Sequence, residues 1–175
     1  MFFRKGGYIL LLSLFFCSCG RSGYDDVAEW HEVTKEAIFE QSELVADSIG
    51  EYIDTLTEEL IRSYFHDQHL FRKEIINNRG VVKFMIRYAN NPDFSYKTEY
   101  CSHGYQTYEG IEYQNKPYGI ATWYNCENGK ITEQGVRHKF RKVGLWKTYD
   151  RNGNPEREIV YDKEVKLKSY PRIRD

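Results

Sequence analysis

The residues in this chain that could do chemistry are few, and their spacing argues for little of it. His66-Asp67-Gln68-His69 sets two imidazoles three residues apart around a carboxylate. On a helix, residues at that spacing share a face, so the two rings could hold one metal ion. No third ligand is marked by spacing, so the pair reads as ordinary solvated histidines and no metal site is expected. His31-Glu32, His103 and His138 are weaker candidates still, and His103 takes the Asn place of a turn. Cys101 and Cys126 stand at matching positions, each three residues before a glycine. On successive hairpins such positions lie two strands apart, about 10 Å, whereas a disulfide wants Cα atoms within about 7 Å. The spacing argues against a bridge, although flexible turns could close the gap. The chain contains no Gly-x-Ser-x-Gly, no phosphate-binding loop and no His-Glu-x-x-His. An enzyme is therefore disfavoured: no catalytic residue, cofactor or small-molecule substrate is expected.

Cys19 belongs to a different chemistry. Arg4 and Lys5 precede a short apolar run from Tyr8 to Phe16. That run falls short of the roughly 20 apolar residues that span a bilayer as a helix, and its basic flank marks a secretory signal peptide. It ends in Phe16-Cys17-Ser18-Cys19-Gly20. This resembles a bacterial lipobox, in which a small residue precedes an invariant cysteine, with Phe16 where the pattern prefers Leu. The resemblance implies cleavage before Cys19 and lipid, palmitate included, on its thiol and amine. It also implies a membrane-tethered protein of a Gram-negative cell envelope. Gly20 stands where an inner-membrane retention signal would place Asp, which by the same resemblance favours the outer membrane. An oxidising envelope would leave Cys101 and Cys126 as the two remaining thiols able to pair.

The elements that would carry these residues divide the chain. Residues 1–18 read as the signal peptide and 19–25 as a lipid-anchored tether. Residues 26–68 read as a helical segment, with helix from about 26 to 65. Asp25 and Asp26 suit a helix N-terminus. Apolar residues recur at Val27, Trp30, Val33, Ala37 and Ile38, and again at Ile49, Ile53, Leu56 and Leu60, a stripe at helical spacing. Gly50 sits inside it, so a kink or a break is open there. The stripe is expected to dock on a sheet rather than form a coiled coil.

From about residue 69 the period changes. Asn77-Asn78-Arg79-Gly80, Cys101-Ser102-His103-Gly104, Cys126-Glu127-Asn128-Gly129 and Asp150-Arg151-Asn152-Gly153 place glycines 24, 25 and 24 residues apart. Asn-Gly is a strong hairpin signal because the turn demands positive φ. Further turns fall at the half period, at 90–93, 114–117 and 138–142. Gly110 recurs as Gly135, Gly119 as Gly144 and Tyr124 as Tyr149, each 25 residues apart. Gly144-Leu145-Trp146-Lys147-Thr148-Tyr149 followed by Asn152-Gly153 resembles the MORN-type repeat, in particular the Gly-x-Trp-x-x-Tyr variant of YwqK-like antitoxins. The copy before it, from Gly119, carries its Trp at 123. Hairpins unable to bury their aromatic face alone would stack into a continuous meander. The expected fold is therefore α+β: an N-terminal helix followed by an antiparallel meander of repeated hairpins over 69–162. Alternation should put Tyr and Trp on one face and charges on the other. A basic tail, 163–175, is expected to fray after Pro171.

The net charge of −1 hides a split: residues 25–79 carry 14 acidic against 5 basic side chains, and residues 80–175 carry 12 against 17. Three readings of this split stay open: the halves face each other, the basic half meets an anionic surface, or both are simply solvated faces with no partner; nucleic acid is not expected. The leading functional expectation is a non-enzymatic, lipid-anchored repeat sheet that binds another envelope protein. A second is glycan binding through Tyr105, Tyr108, Tyr113, Trp123 or Trp146, set against the reading that these rings are core. The antitoxin or immunity role is implied by the family resemblance alone.

Overall fold

A computed structural model describes residues 23–161 and 169–173. One helix, α1 (Gly23–Ser42), precedes ten strands: β1 (Ser48–Asp54), β2 (Glu59–His66), β3 (His69–Ile76), β4 (Val82–Tyr88), β5 (Phe94–Tyr100), β6 (Gln106–Tyr113), β7 (Lys116–Tyr124), β8 (Ile131–His138), β9 (Arg141–Tyr149) and β10 (Pro155–Tyr161). Each strand pairs with the next in one antiparallel sheet of order β1 to β10. The expected helix followed by a meander is therefore what the chain forms. The four glycine turns join β3–β4, β5–β6, β7–β8 and β9–β10 at one end of the sheet, with φ of 77°, 81°, 68° and 84° at Gly80, Gly104, Gly129 and Gly153. The half-period turns close the other end.

The helix is half as long as its periodicity suggests. It ends at Ser42, and residues 48–66 form β1 and β2 instead of continuing it. Two features outweigh the apolar spacing. The segment is rich in β-branched residues (Val45, Ile49, Ile53, Thr55, Thr57, Ile61), which pack well on a pleated surface. Asp54 then closes a turn, its carboxylate accepting from the backbone N–H of Leu56 at 2.8 Å and of Thr57 at 3.3 Å. Ile49, Ile53 and Leu56, expected on a docking face, are exposed.

The inward stripe of α1 is Val27, His31, Thr34 and Ile38, at steps of four, three and four. Val33, placed on the docking face by its hydropathy, points outward. Val27 packs with Tyr118, Val136, Val143 and Tyr170, and Ile38 with Ala89, Phe94, Tyr96 and Ile111. The acidic helix thus lies on strands drawn mainly from the basic half, whereas β1–β3, the rest of the acidic half, run beside those strands in the same sheet. The C-terminal segment is not loose where it is described. Tyr170 is buried, stacks edge-on to Trp30 and Tyr118, and is followed by Pro171, whose carbonyl accepts from Trp30 Nε1 at 2.7 Å. Residues 163–168 of the expected tail lie outside the described residues.

Docking depends on a bulge. Gly119 and Ile120 have no partner on β6, because Gly110 pairs with Ala121 and Ile111 with Tyr118. Gly119 takes φ 72°, and a Cβ there would lie 2.7 Å from the Trp30 ring and 2.8 Å from His31 Nδ1. The backbone N–H of Ile120 donates to His31 Nδ1 at 3.1 Å. His31 is 4% exposed, and burial first, then the nearby Lys35, lowers its pKa to about 4. The neutral ring is therefore built into the fold. Full stability holds above the ordinary histidine value of 6.5 and is lost as pH falls from there towards 4. The loss should be on the order of 3 kcal/mol. His31→Gln, which keeps an acceptor without titrating there, should flatten this segment of a denaturation-versus-pH curve. An equally steep curve in the variant would place the titration elsewhere.

Candidate interaction surfaces

The sheet has two unlike faces, and the expectation of aromatics on one and charges on the other is not met. Phe94, Tyr96, Tyr113 and Tyr118 lie under α1. On the far face a second row crosses the strands: Tyr108–Trp123 at 5.1 Å between ring centres, Trp123–Trp146 at 5.5 Å and Trp146–Tyr161 at 6.1 Å. Cations are laid into this row. The Arg137 guanidinium lies 5.2 Å from Trp123 and 5.1 Å from Trp146, and Lys142 lies 4.0 Å from Trp146. Lys142 also pairs with Glu133. The arrangement lets long basic side chains cover apolar rings while their charged heads reach solvent.

Of the five rings considered for glycan stacking, Trp146 is core: it is 1% exposed and its Nε1 donates to the Val136 carbonyl at 3.0 Å. Tyr113 is also core, stacked on Phe94 and Tyr118. Tyr105 is exposed at a turn. Tyr108 and Trp123, half-buried, line a far-face groove of about 260 Å³ with Lys97, Glu99, Glu112 and Arg137. Burial first, and then Glu99, raises the Glu112 pKa above the usual carboxylate range, against the pull of Lys97. Burial, with Glu112 and Glu99 nearby, also raises the Tyr108 phenol, so it stays a hydrogen-bond donor. A larger concavity of about 390 Å³ between α1 and residues 172–173 is mostly apolar, walled by Trp30, Val33 and Ile173.

The titratable and sulfur groups singled out by spacing are otherwise used. His66 and His69 are not on a helix; they pair across the Asp67-Gln68 hairpin turn. His66 Nδ1 bonds the Val45 carbonyl at 2.9 Å and His69 Nδ1 the Asp67 carbonyl at 2.8 Å. Under α1, burial opposes the charge on Glu109, but the hydrogen bond that the Tyr124 hydroxyl donates at 2.5 Å, with polar neighbours and Lys35, outweighs it and holds the carboxyl below its usual range.

Cys101 and Cys126 are joined, with Cα atoms 6.0 Å apart. The 10 Å expectation fails because their turns are unequal. Asn77, Cys101 and Asp150 each open a turn whose glycine N–H returns to their carbonyl, but in the β7–β8 turn Asn125 has that role. Cys126 is an extra residue there, free to reach across. His103 Nδ1 lies 3.7 Å from Cys126 Sγ. These three side chains could meet a metal ion only with the disulfide reduced.

The β1 edge differs from the β10 edge. Among the described residues, six of the ten large apolar side chains that are exposed lie between Leu44 and Leu56: Leu44, Val45, Ile49, Tyr52, Ile53 and Leu56. The β10 edge is blunted by Pro155, by the charges of Glu156, Arg157 and Glu158, and by a bulge, the usual protections against strand addition. β1 has no proline, and its carboxylate Glu51 is tied to Arg62 on β2 at 2.5 Å. Cys19 lies outside the described residues. Among those described, no helix is long and apolar enough to cross a membrane.

Two stability outcomes follow from these surfaces. A Cβ at Gly135 would lie 2.2–2.4 Å from the Trp146 ring, whereas one at Gly104 meets nothing within 4 Å. Gly135→Ala should lower the unfolding free energy by about 2–3 kcal/mol by overpacking. Gly104→Ala should lose only about 1 kcal/mol, through its left-handed backbone. Equal losses in urea unfolding would refute the overpacking argument. Replacing both cysteines by serine should cost about 2–4 kcal/mol, and reduction of the wild type about the same. An unchanged urea midpoint on reduction would mean the bridge adds no constraint.

Compared with known proteins, the chain matches no family model, no characterised relative and no solved structure.

Proposed function

We propose that this is a non-enzymatic protein of the bacterial cell envelope, tethered through lipid on Cys19, whose repeated hairpin sheet binds another envelope protein along the β1 edge. The observation that carries the reading is the unprotected, apolar β1 strand. Among the described residues no strand lies beside its outer backbone N–H and C=O groups, and its flanks expose Ile49, Tyr52, Ile53 and Leu56. Such an edge accepts a partner's extended segment: the main chain provides affinity and alternate side chains provide register. Water-facing isoleucines on an unpaired edge invite aggregation unless a partner covers them.

The lipobox resemblance supports the tether. The hairpin period of 24–25 residues, with positive-φ glycines at its turns, suits the MORN-type resemblance. Such repeats offer a stiff platform rather than a defined chemistry. α1 touches β3–β7 and β9 and leaves β1 uncovered.

The test is crosslinking and capture from native envelopes with three proteins: the wild type, Cys19→Ala and the edge variant Ile49→Lys/Ile53→Lys. A specific envelope protein should be enriched by wild type. It should be lost from the edge variant, which keeps the wild-type circular dichroism. Cys19→Ala should lose membrane association but recover the partner when both are mixed in detergent. Capture that ignores the edge charges, or no capture at all, would sink the proposal.

A further inference from the structure

The geometry points to a second binding site, on the far face of the sheet, for a neutral sugar of one or two rings. It is formed by Tyr108, Glu112, Trp123 and Arg137 and does not depend on the β1 edge. Three observations carry it.

The first is the floor. Tyr108 and Trp123 are register partners on β6 and β7, with ring centres 5.1 Å apart and planes inclined by 52°. Both rings are half-buried, not sealed in as Trp146 is. Gly110 keeps the phenol in place, since a Cβ there would lie 2.7 Å from the Tyr108 hydroxyl and 3.2 Å from Cζ. The C–H face of a sugar ring is apolar and packs on such a surface, while its hydroxyls stay free for polar groups.

The second is the polar rim. Lys97 pairs with Glu99 at 2.8 Å on one side. Arg137 lies on the other, with one N–H given to the Phe140 carbonyl at 3.0 Å and its Cζ 5.2 Å and 5.1 Å from the Trp123 and Trp146 ring centres. Glu112 has no hydrogen-bond or ion-pair partner among the described residues, although it lines the groove and is half-buried. Its oxygens are not sealed from water, so the carboxyl is an open acceptor for a hydroxyl that a ligand brings. Burial raises its pKa against the pull of Lys97.

The third is charge and size. Two cations and two carboxylates cancel, so the groove selects no ion; it presents donors and acceptors together, which is what hydroxyls need. Arg137 already lies over the Trp123 ring, so Tyr108 is the ring left for a sugar's apolar face, and Arg137 with Lys97 repels a cationic ligand. At about 260 Å³ the groove is below the roughly 300–1,000 Å³ that holds drug-sized ligands, and suits a small ring. The 390 Å³ concavity beside α1 also sets Asp26 and Glu29 against Arg172, but Trp30 is the one ring in its lining, so it has no pair of adjacent rings for a floor.

The test titrates the full-length protein, in a sugar-free detergent, with maltotriose, cellotriose, chitotriose and choline chloride, read by tryptophan fluorescence and calorimetry. At least one trisaccharide should saturate and choline should not. Glu112→Gln and Gly110→Ala, the latter displacing only the Tyr108 phenol, should each weaken binding about tenfold. Ile49→Lys/Ile53→Lys should bind sugar as wild type does, which separates this site from the edge. If Gly110→Ala fails to fold, Glu112→Gln decides alone. Saturation by choline, no saturation by any sugar, or undiminished affinity in Glu112→Gln would overturn the assignment.

Discussion

The contact on which the rest of the structure depends is the seat of α1 on the β7 bulge. A ten-stranded meander has one face too many, and the helix covers the middle of it only because Gly119 offers no side chain where Trp30 and His31 must lie. The bulge also leaves the N–H of Ile120 facing the helix, and His31 accepts it. An unpaired buried N–H would cost roughly 1–3 kcal/mol, so the histidine must stay neutral and in the tautomer that leaves Nδ1 open. Trp30 then ties the C-terminal segment to the same place through the Pro171 carbonyl. One omitted side chain thus fixes the helix, the bulge and the Tyr170-Pro171 segment together.

That seating leaves the opposite face without a helix, and the far face answers with its own side chains. Tyr108, Trp123, Trp146 and Tyr161 form a roof one ring thick, with Arg137 and Lys142 laid over it. Glycines make room: the Trp146 ring occupies the space a Gly135 side chain would need, and the Tyr108 phenol does the same at Gly110. The 25-residue recurrence of those two glycines is therefore a packing recurrence. At Trp146 the roof is sealed; at Trp123 and Tyr108 it remains open, because the β6 and β7 side of the face is bordered by carboxylates rather than by another large ring.

The turn architecture is legible in the amino-acid sequence, because Gly80, Gly104, Gly129 and Gly153 need positive φ and nothing else explains their spacing. The meander follows from them. The first third is not legible in this way. Ile49, Ile53, Leu56 and Leu60 fit a helical stripe, and only the β-branched content and the Asp54 turn argue for strands; periodicity alone cannot weigh these. The inward stripe of α1 is also concealed, since it includes His31 and Thr34, polar residues whose burial depends on what the sheet presents. The disulfide is hidden for a local reason. Cys126 matches Cys101 when counted back from the glycine, but the β7–β8 turn is one residue longer, and the length of a turn is invisible to a count made from its end. The far-face groove shows only in part: Tyr108 and Trp123 are candidates by type, while Glu112 and Arg137 join them only through strand register.

The two surfaces make opposite demands on the same sheet. Strand addition at β1 needs an edge free to accept a new neighbour, and β1 meets this by having no helix over it and no proline or bulge in its ladder. A sugar site needs fixed side chains, and β6 and β7 lie five and six strands from that edge, with α1 packed behind them and a disulfide tying the turns that bracket them. A sheet of this length therefore separates an adaptable boundary from a rigid interior without a second domain. Lengthening the meander by hairpins adds distance between the β1 edge and the far-face groove at little cost, since each new pair of strands contacts only its neighbours.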